Sequence, residues 1–322
     1  MIVAKTPLRL PFAGGLSDIR EYADRYGGLT VSATIDKYIY VALKPHHERG
    51  FELRYLNAYE KVDKADEIRH AHIREAIKLC GLEGEPLELA VMNDLPHEGG
   101  LGSSGALSCA LISALYAYKG EAADDERVVA DATRLEMDIL AGASGYHDHA
   151  ITQLGGLRAL AYEGGKPQPV ELGAEAETIR KFLKRFMLFY SGYHAKTRPS
   201  LVLLAEHFEE AKPTLDLIKR NASELAEALS SGDQHKAAAC VRRQQELKQT
   251  LPGAFQNDFV VETMRRAERL GDKAQIPGGK IGSFLMVYRP KGLKRKKVAE
   301  HFGDLKPIPF SFVDEGTKVA RL

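Results

Sequence analysis

The sequence has no apolar run approaching the about 18 residues that a membrane helix needs. Its opening, Met1-Ile2-Val3-Ala4-Lys5-Thr6, meets Pro7 too soon for a secretory signal. Cysteine is scarce. Cys80, Cys109 and Cys240 are far apart and odd in number, which suggests neither a disulfide framework nor a zinc site and points to a reducing compartment. Charge of one sign is missing too: 45 Lys and Arg against 44 Asp and Glu leave a formal net charge of +1, so no broad field draws the protein to nucleic acid or an anionic membrane. These absences lead us to expect a soluble cytoplasmic protein whose partner is neither nucleic acid nor membrane.

What is present is an ordinary globular balance, 44% apolar and 28% charged residues in a chain of 322. At ~150 residues per domain that length predicts two domains. The first third reads as strand-rich: Leu29–Ile35, then Tyr38–Leu43 after a turn at Asp36-Lys37, then Phe51–Leu56 and Leu87–Met92. Helices are expected at about Ala65–Leu79, Ser103–Tyr118 and Asp125–Leu140, and long helices over Pro199–Gln249 with breaks near Pro213 and Gly232. Phe186–Tyr190 and Ser283–Tyr288 read as buried strands, and Glu163–Pro169 as the strongest turn or linker signal in the middle of the chain. The mixture predicts an α+β protein divided into residues 1–175 and 176–322.

The most informative segment is Pro96-His97-Glu98-Gly99-Gly100-Leu101-Gly102-Ser103-Ser104-Gly105, placed where a strand should end and an apolar helix begin. A helix N-terminus presents amides without internal partners and a positive dipole end, and glycines let those amides approach phosphate oxygens closely. Ser103 and Ser104 can cap the helix, donate to phosphate, or offer a hydroxyl oxygen to Mg²⁺. The segment has neither the Gly-Lys-Ser/Thr ending of a P-loop nor the downstream acid of a dinucleotide fingerprint.

The run from Pro96 to Ser104 resembles the ATP-binding motif of the GHMP kinases (galacto-, homoserine, mevalonate and phosphomevalonate kinases). The opening block Ala4–Asp18, with Arg9-x-x-x-Ala13-Gly14-Gly15-x-Ser17-Asp18, is similar to the substrate-side motif of the sugar-kinase branch. Together with Tyr22-x-x-x-Tyr26-Gly27-Gly28 it is most like the D-glycero-D-manno-heptose 7-phosphate kinase group. The resemblance spans nearly the whole chain and implies a ribosomal-S5-like N-terminal domain packed on a ferredoxin-like C-terminal one, with ATP and acceptor meeting at the junction.

The resemblance also implies roles. ATP phosphates would lie on the loop Pro96, Gly99, Gly100, Leu101, Gly102, Ser103 and Ser104, and Mg²⁺ would take Ser104 and Glu136. Asp148 would receive the proton of the attacking hydroxyl, with Arg9 as the neighbouring cation. Asp18 would grip sugar hydroxyls, the bare backbone of Gly14 and Gly15 and the side chain of Ser17 would line the acceptor, and His149 would hydrogen-bond it. Taken alone, Glu136 reads as an exposed helix carboxylate, Asp148 as an N-cap before His149, and Asp18 as a polar turn residue. No third ligand makes His147-x-His149 a metal site, and His46-His47 and His70-x-His72 read as surface residues.

Two stretches depart from the family pattern. Gly278-Gly279-Lys280-Ile281-Gly282-Ser283-Phe284 has lysine and isoleucine where glycines are usual. Either Lys280 reaches the site as an added phosphate cation, or the loop is remodelled around a different acceptor. In Ser191-Gly192-Tyr193-His194-Ala195, alanine stands where relatives that use heptose phosphate carry arginine. The expected activity is Mg·ATP-dependent phosphorylation of a sugar or sugar phosphate, with a heptose phosphate taken at its anomeric hydroxyl first. A free hexose or deoxyhexose, or a non-catalytic nucleotide- or sugar-binding regulator on the same fold, are the alternatives. A homodimer is left open.

Overall fold

The computed structural model describes residues 1–56, 58–96, 100–193, 198–252, 257–271, 273–275, 277, 283–289 and 291–322. It is an α+β molecule with two sheets. β1 (Ile2–Ala13) and β2 (Gly28–Pro45) pair antiparallel around α1 (Arg20–Tyr26). β3 (Phe51–Tyr55) and β4 (Ala58–Val62) form a hairpin, and after α2 (Ala71–Leu79) the strand β5 (Leu87–Asn93) enters between β2 and β3, parallel to β3. Then come α3 (Ser103–Lys119), α4 (Asp125–Thr133), α5 (His147–Leu154) and the hairpin of β6 (Leu157–Glu163) with β7 (Lys166–Val170).

β2 does not end at Asp36-Lys37, where a turn was expected. The pair sits as a bulge in one long strand, because the register jumps from Pro7–Tyr38 to Leu8–Ile35. The chain's distant tail holds it: Asp36 N–H donates to the Ser311 carbonyl at 2.9 Å. Of the turn and the linker that Glu163–Pro169 could be, it is the turn: the tip of a hairpin, closed at Gly164-Gly165 by two residues.

The second half contributes α6 (Ala176–Leu183), β8 (Phe186–Tyr190), α7 (Arg198–Glu206), α8 (Phe208–Ser230), α9 (Gln234–Gln249) and α10 (Asp258–Arg269). β9 (Lys273–Gln275), β10 (Phe284–Tyr288), α11 (Arg295–His301) and β11 (Lys306–Ile308) follow, and the second sheet runs β11-β8-β10-β9. The helix break expected at Pro213 falls instead at His207. Pro213 lies inside α8, past its first turn, where its missing N–H takes one bond from the helix ladder.

The last strand, β12 (Lys318–Arg321), returns to the first sheet and pairs with β1. The halves share one core, in which Phe12 of β1 stacks on Phe186 of β8 (4.7 Å, 29°) and meets Phe182 of α6 edge-on at 5.3 Å. From Thr6 onward every residue of β1 is buried, so both faces of its pleat are covered. α3 packs on it, and α8 and α9 reach it from the second half. That is how a strand carries an arginine, Arg9, at only 4% exposure. Among the described residues no helix is long and apolar enough to cross a membrane. Cys80, Cys109 and Cys240 are free and buried.

Candidate active site

The Gly-Ser loop runs into α3 as its sequence suggests. Gly100 and Gly102 both have φ +78°, and Gly102 is the N-cap, with no side chain capping the helix. Among the described residues no side chain caps the first amides of this 17-residue helix, which is the arrangement that receives an anion. Pro96 and Ser104 are exposed, Ser103 is half-buried, and Leu101 is buried with its carbonyl accepting the Arg9 N–H at 3.0 Å. Gly99 lies outside the described residues.

Arg9 ties this loop to α5. Its Nη1 donates to the Gly100 carbonyl at 2.6 Å, while Nε and Nη2 reach Asp148 Oδ1 at 2.8 and 2.6 Å. His147 Nδ1 stands 3.3 Å from the same oxygen, and its Nε2 is 2.6 Å from Ser32 Oγ. Asp148 thus sits in the first turn of α5, not at its N-cap, and every contact to its carboxylate among the described residues converges on Oδ1. Burial alone would push this carboxyl up, but Arg9 and His147 outweigh it and hold it far below the usual carboxylate range. α3 and α5 come this close because position 105 is glycine: a Cβ there would lie 2.8 Å from the Asp148 Cβ.

Glu136 occupies the other end of the loop. The helix expected over Asp125–Leu140 is present, but its final turn, Arg134–Ile139, is π-wound, with Leu140 N–H bonding back to the Leu135 carbonyl. This wider turn carries a carboxylate only 6% exposed, not the solvated one that its local sequence suggests. Glu136 Oε2 is 2.9 Å from His149 Nε2, and the Ser104 hydroxyl bonds the same carboxylate. Burial pushes its pKa up, yet His149, His72 and Ser104 pull it below the ordinary value. His149 is fully buried, so its partner within the protein is Glu136. His70 and His72 are half-buried rather than on the surface. A carboxylate and a hydroxyl in contact beside a helix N-terminus are the hard-oxygen donors that a phosphate-bound Mg²⁺ accepts, so these residues fit that ion and a nucleotide tail.

The opening block folds into a tight corner. Gly14 has φ +86°, and a Cβ on it would stand 1.9 Å from the Leu29 carbonyl, so only glycine fits. Gly15 faces open space. Ser17 is fully buried, its hydroxyl donating to Gly14 O at 2.8 Å and accepting the Leu29 N–H at 3.1 Å. Asp18 accepts the amides of Leu16 and His147 at 3.0 and 3.2 Å, joining this corner to the start of α5. Lys280 lies outside the described residues, as does Ala195.

One group comes to the site from α9, which sequence reasoning passed over. Gln244 Oε1 accepts the Gly14 N–H at 2.8 Å and its Nε2 donates to the Gly15 carbonyl at 3.0 Å. One turn later Lys248 is only 2% exposed. Burial, with the like charge of Arg9, pulls its pKa down to about 7. In sequence, Arg242-Arg243-Gln244-Gln245-Glu246-Leu247-Lys248 reads as a solvated helix face. The i, i+4 spacing of Gln244 and Lys248 was the one available signal, and many exposed helices share it.

Comparison with known proteins agrees with this geometry. Residues 68–156, which hold the loop, Glu136 and Asp148, match the model of the GHMP kinases N terminal domain. The chain is 23% identical to the D-glycero-alpha-D-manno-heptose 7-phosphate kinase of Campylobacter jejuni, over 100% of this chain and 99% of that one. It is also 23% identical to the galactokinase of Thermotoga neapolitana, over 90% and 91%. The crystal structure of a D-glycero-D-manno-heptose 1-phosphate kinase from Bacteroides thetaiotaomicron superposes with a TM-score of 0.82 at 21% identity, covering 100% of this chain and 99% of that one. The α+β fold is thus the GHMP kinase fold. A loop that opens onto helix amides, a buried and a half-buried acid on either side of it and a matching family model lead to one conclusion: residues 68–156 are a GHMP kinases N terminal domain, and the chain is an ATP-dependent phosphotransferase with an alcohol group as acceptor.

Proposed function

We propose that this kinase phosphorylates a sugar phosphate of the heptose 7-phosphate type at its anomeric hydroxyl. The observation that carries the proposal is the Arg9–Asp148 pair, fastened through Gly100 to the mouth of α3 and bordered by the bare corner of Gly14 and Gly15. Its supports are the full-length likeness to a heptose 7-phosphate kinase and the fold shared with a heptose 1-phosphate kinase.

In this reading the amides of Gly100, Gly102, Ser103 and Ser104 hold the triphosphate, backed by the dipole of α3. Ser104 and Glu136 hold Mg²⁺, which when bound neutralises the β- and γ-phosphate charge. His149 and His72 fix Glu136. The acceptor hydroxyl donates to Asp148 Oδ2, the carboxylate oxygen that Arg9 and His147 leave to it. A carboxylate held so far below its usual range is a weak base. Its main work is therefore to orient the hydroxyl and to take the proton late, which a loose phosphoryl-transfer transition state tolerates. Arg9 offsets the charge that builds as the γ-phosphoryl moves. Gly15 lets the sugar approach the backbone, Gly14 and Ser17 hold that corner in shape, and the lone pairs of Asp18 not used by Leu16 and His147 accept from sugar hydroxyls.

The test is release of ADP, with Mg²⁺, across a panel of free aldoses and aldose phosphates, with ³¹P NMR of the product. Transfer to C1 of a seven-carbon sugar 7-phosphate is the expected result. Transfer only to free sugars, to a non-anomeric hydroxyl, or to no acceptor at all would overturn the proposal.

A further inference from the structure

At the far end of β2 from the kinase site, side chains of three neighbouring strands converge. The sheet order places β5 between β2 and β3. Glu88 of β5 lies opposite Glu52 of β3 in their parallel register, and opposite Lys44 of β2 in the antiparallel one. His46 comes two residues after Lys44, on the same face by strand alternation. Its N–H donates to the Pro86 carbonyl at 3.0 Å, which carries the pairing with β5 one step past Pro45. Arg9 pairs with Thr34, and the length of β2 from there to Pro45 sets the cluster on the order of 30 Å from Arg9.

The sequence reads His46-His47 as surface residues. For His46 the structure corrects this: its side chain is only 5% exposed, and neither ring nitrogen hydrogen-bonds to any group among the described residues. A neutral imidazole has one donor and one acceptor nitrogen, and burying both without a partner is costly. Nε2 stands 3.8 Å from Glu52 Oε2, too far for a hydrogen bond. One metal ion fills such a span. Zn²⁺ with bonds of about 2.1 Å holds two ligand atoms about 3.4 Å apart at the tetrahedral angle and about 4.2 Å apart when they are opposite. Glu88 adds a third oxygen, and the three ligand atoms all lie within 4.8 Å of one another.

Two cations compete for these carboxylates. Arg54 bonds Glu52 through Oε1, so the oxygen nearest His46 is the other one; it also holds Glu88 Oε1 at 2.7 Å, while Lys44 holds Glu88 Oε2 at 2.7 Å. Both are half-exposed on long stems and can swing into water, a freedom that the buried imidazole lacks.

We propose that His46, Glu52 and Glu88 bind a dication of the Zn²⁺ class, with water completing its coordination, and that the ion clips β2, β5 and β3 together. One imidazole with two carboxylates suits Zn²⁺ better than Mg²⁺ or Ca²⁺, which take oxygen ligands. The site is separate from that of the phosphoryl transfer, and the inference does not depend on the acceptor proposed above.

The experiment uses the full chain with Zn²⁺ as the probe, in excess Mg²⁺ so that Ser104 and Glu136 are supplied with their own ion. Competition with a chromophoric chelator gives stoichiometry and affinity, and the visible bands of Co²⁺ report its coordination. The parent should bind one Zn²⁺ that His46→Leu, Glu52→Gln and Glu88→Gln each weaken by about tenfold or more, with loss of the Co²⁺ bands. Glu52→Gln keeps an acceptor for Arg54, and His46→Leu suits a buried position, so both should fold. Lys44→Met, which frees a Glu88 oxygen, should tighten Zn²⁺ by about threefold. At a hundredfold excess over its Kd, Zn²⁺ should raise the parent's unfolding midpoint by about 3 °C and leave that of His46→Leu unchanged. A parent that binds no Zn²⁺, variants at His46 and Glu52 that bind it as the parent does, or a Lys44→Met affinity at or below the parent's would overturn the proposal. None of these results bears on the kinase reading, which ADP release tests separately.

Discussion

The two carboxylates of the site, Asp148 half-buried and Glu136 buried, are held in opposite ways. Asp148 is clamped through one oxygen by a guanidinium, a charge that does not leave at any ordinary pH, with an imidazole in support. Glu136 has no cationic side chain bonded to it among the described residues; imidazole and hydroxyl hold it, in a π-wound turn. A permanent counter-ion keeps a carboxylate fixed, ionised and weakly basic, which suits a group that must orient a hydroxyl. Imidazole and hydroxyl partners carry no permanent charge, an arrangement that suits a carboxylate awaiting a metal ion.

The largest test of this contrast is Asp148→Asn. Turnover should fall by about a thousandfold or more, while Mg·ATP affinity stays within about twofold. Turnover close to the parent's would break the comparison. The same variant leaves Arg9 buried without its carboxylate, so we expect a loss of about 3 kcal/mol in denaturant unfolding at neutral pH. The sign with pH follows from the depressed pKa of Asp148. Its contribution is present above the unfolded-state value of about 4 and is lost as pH falls toward the folded-state value, so parent and variant should converge in stability in strong acid.

Glu136→Gln should act on the other side. We expect the Mg²⁺-dependent part of ATP affinity to weaken by about 10- to 100-fold, and Ser104→Ala to weaken it by less, both read by nucleotide titration with and without the ion. Nucleotide binding that is indifferent to metal in both variants would remove these residues as ligands.

Gly14 and Gly15 give a smaller but sharper contrast. Gly14→Ala drives a methyl into the Leu29 carbonyl and should cost about 2 kcal/mol or more in thermal unfolding. Gly15→Ala meets nothing and should leave stability unchanged, acting only on the sugar's KM. A further effect, seen only as a pH slope, concerns Lys248. The unfolded chain binds its proton up to about pH 10, the folded one only to about pH 7, so stability should rise with pH between those values, and Lys248→Met should remove that slope in parallel chemical denaturation.

The loop at Gly100–Ser104 was legible because its chemistry is local: glycines and serines at a strand-to-helix junction act through their own backbone. The strands of the first sheet were legible for the same reason, as their side-chain alternation is written within a few residues. The bulge at Asp36-Lys37 was not, since the Ser311 carbonyl that holds it lies far along the chain. Nor was the linker at Glu163–Pro169 distinguishable from a hairpin, because turn residues serve both and only the pairing of β6 with β7 selects one. Glu136 reads as a surface acid until a π-wound turn draws it inward.

By itself the sequence determined the likeness to the GHMP kinases and the glycine-serine junction that opens α3, because these depend on residue types at short, fixed spacings. Tertiary structure alone decided that Arg9 clips Asp148 to the loop that opens α3, that His149 faces Glu136, and that Gln244 grips the corner of Gly14 and Gly15. The reason is physical. Burial and charge pairing are properties of the space between elements, and α9 meets β1 only after more than half the chain has folded between them.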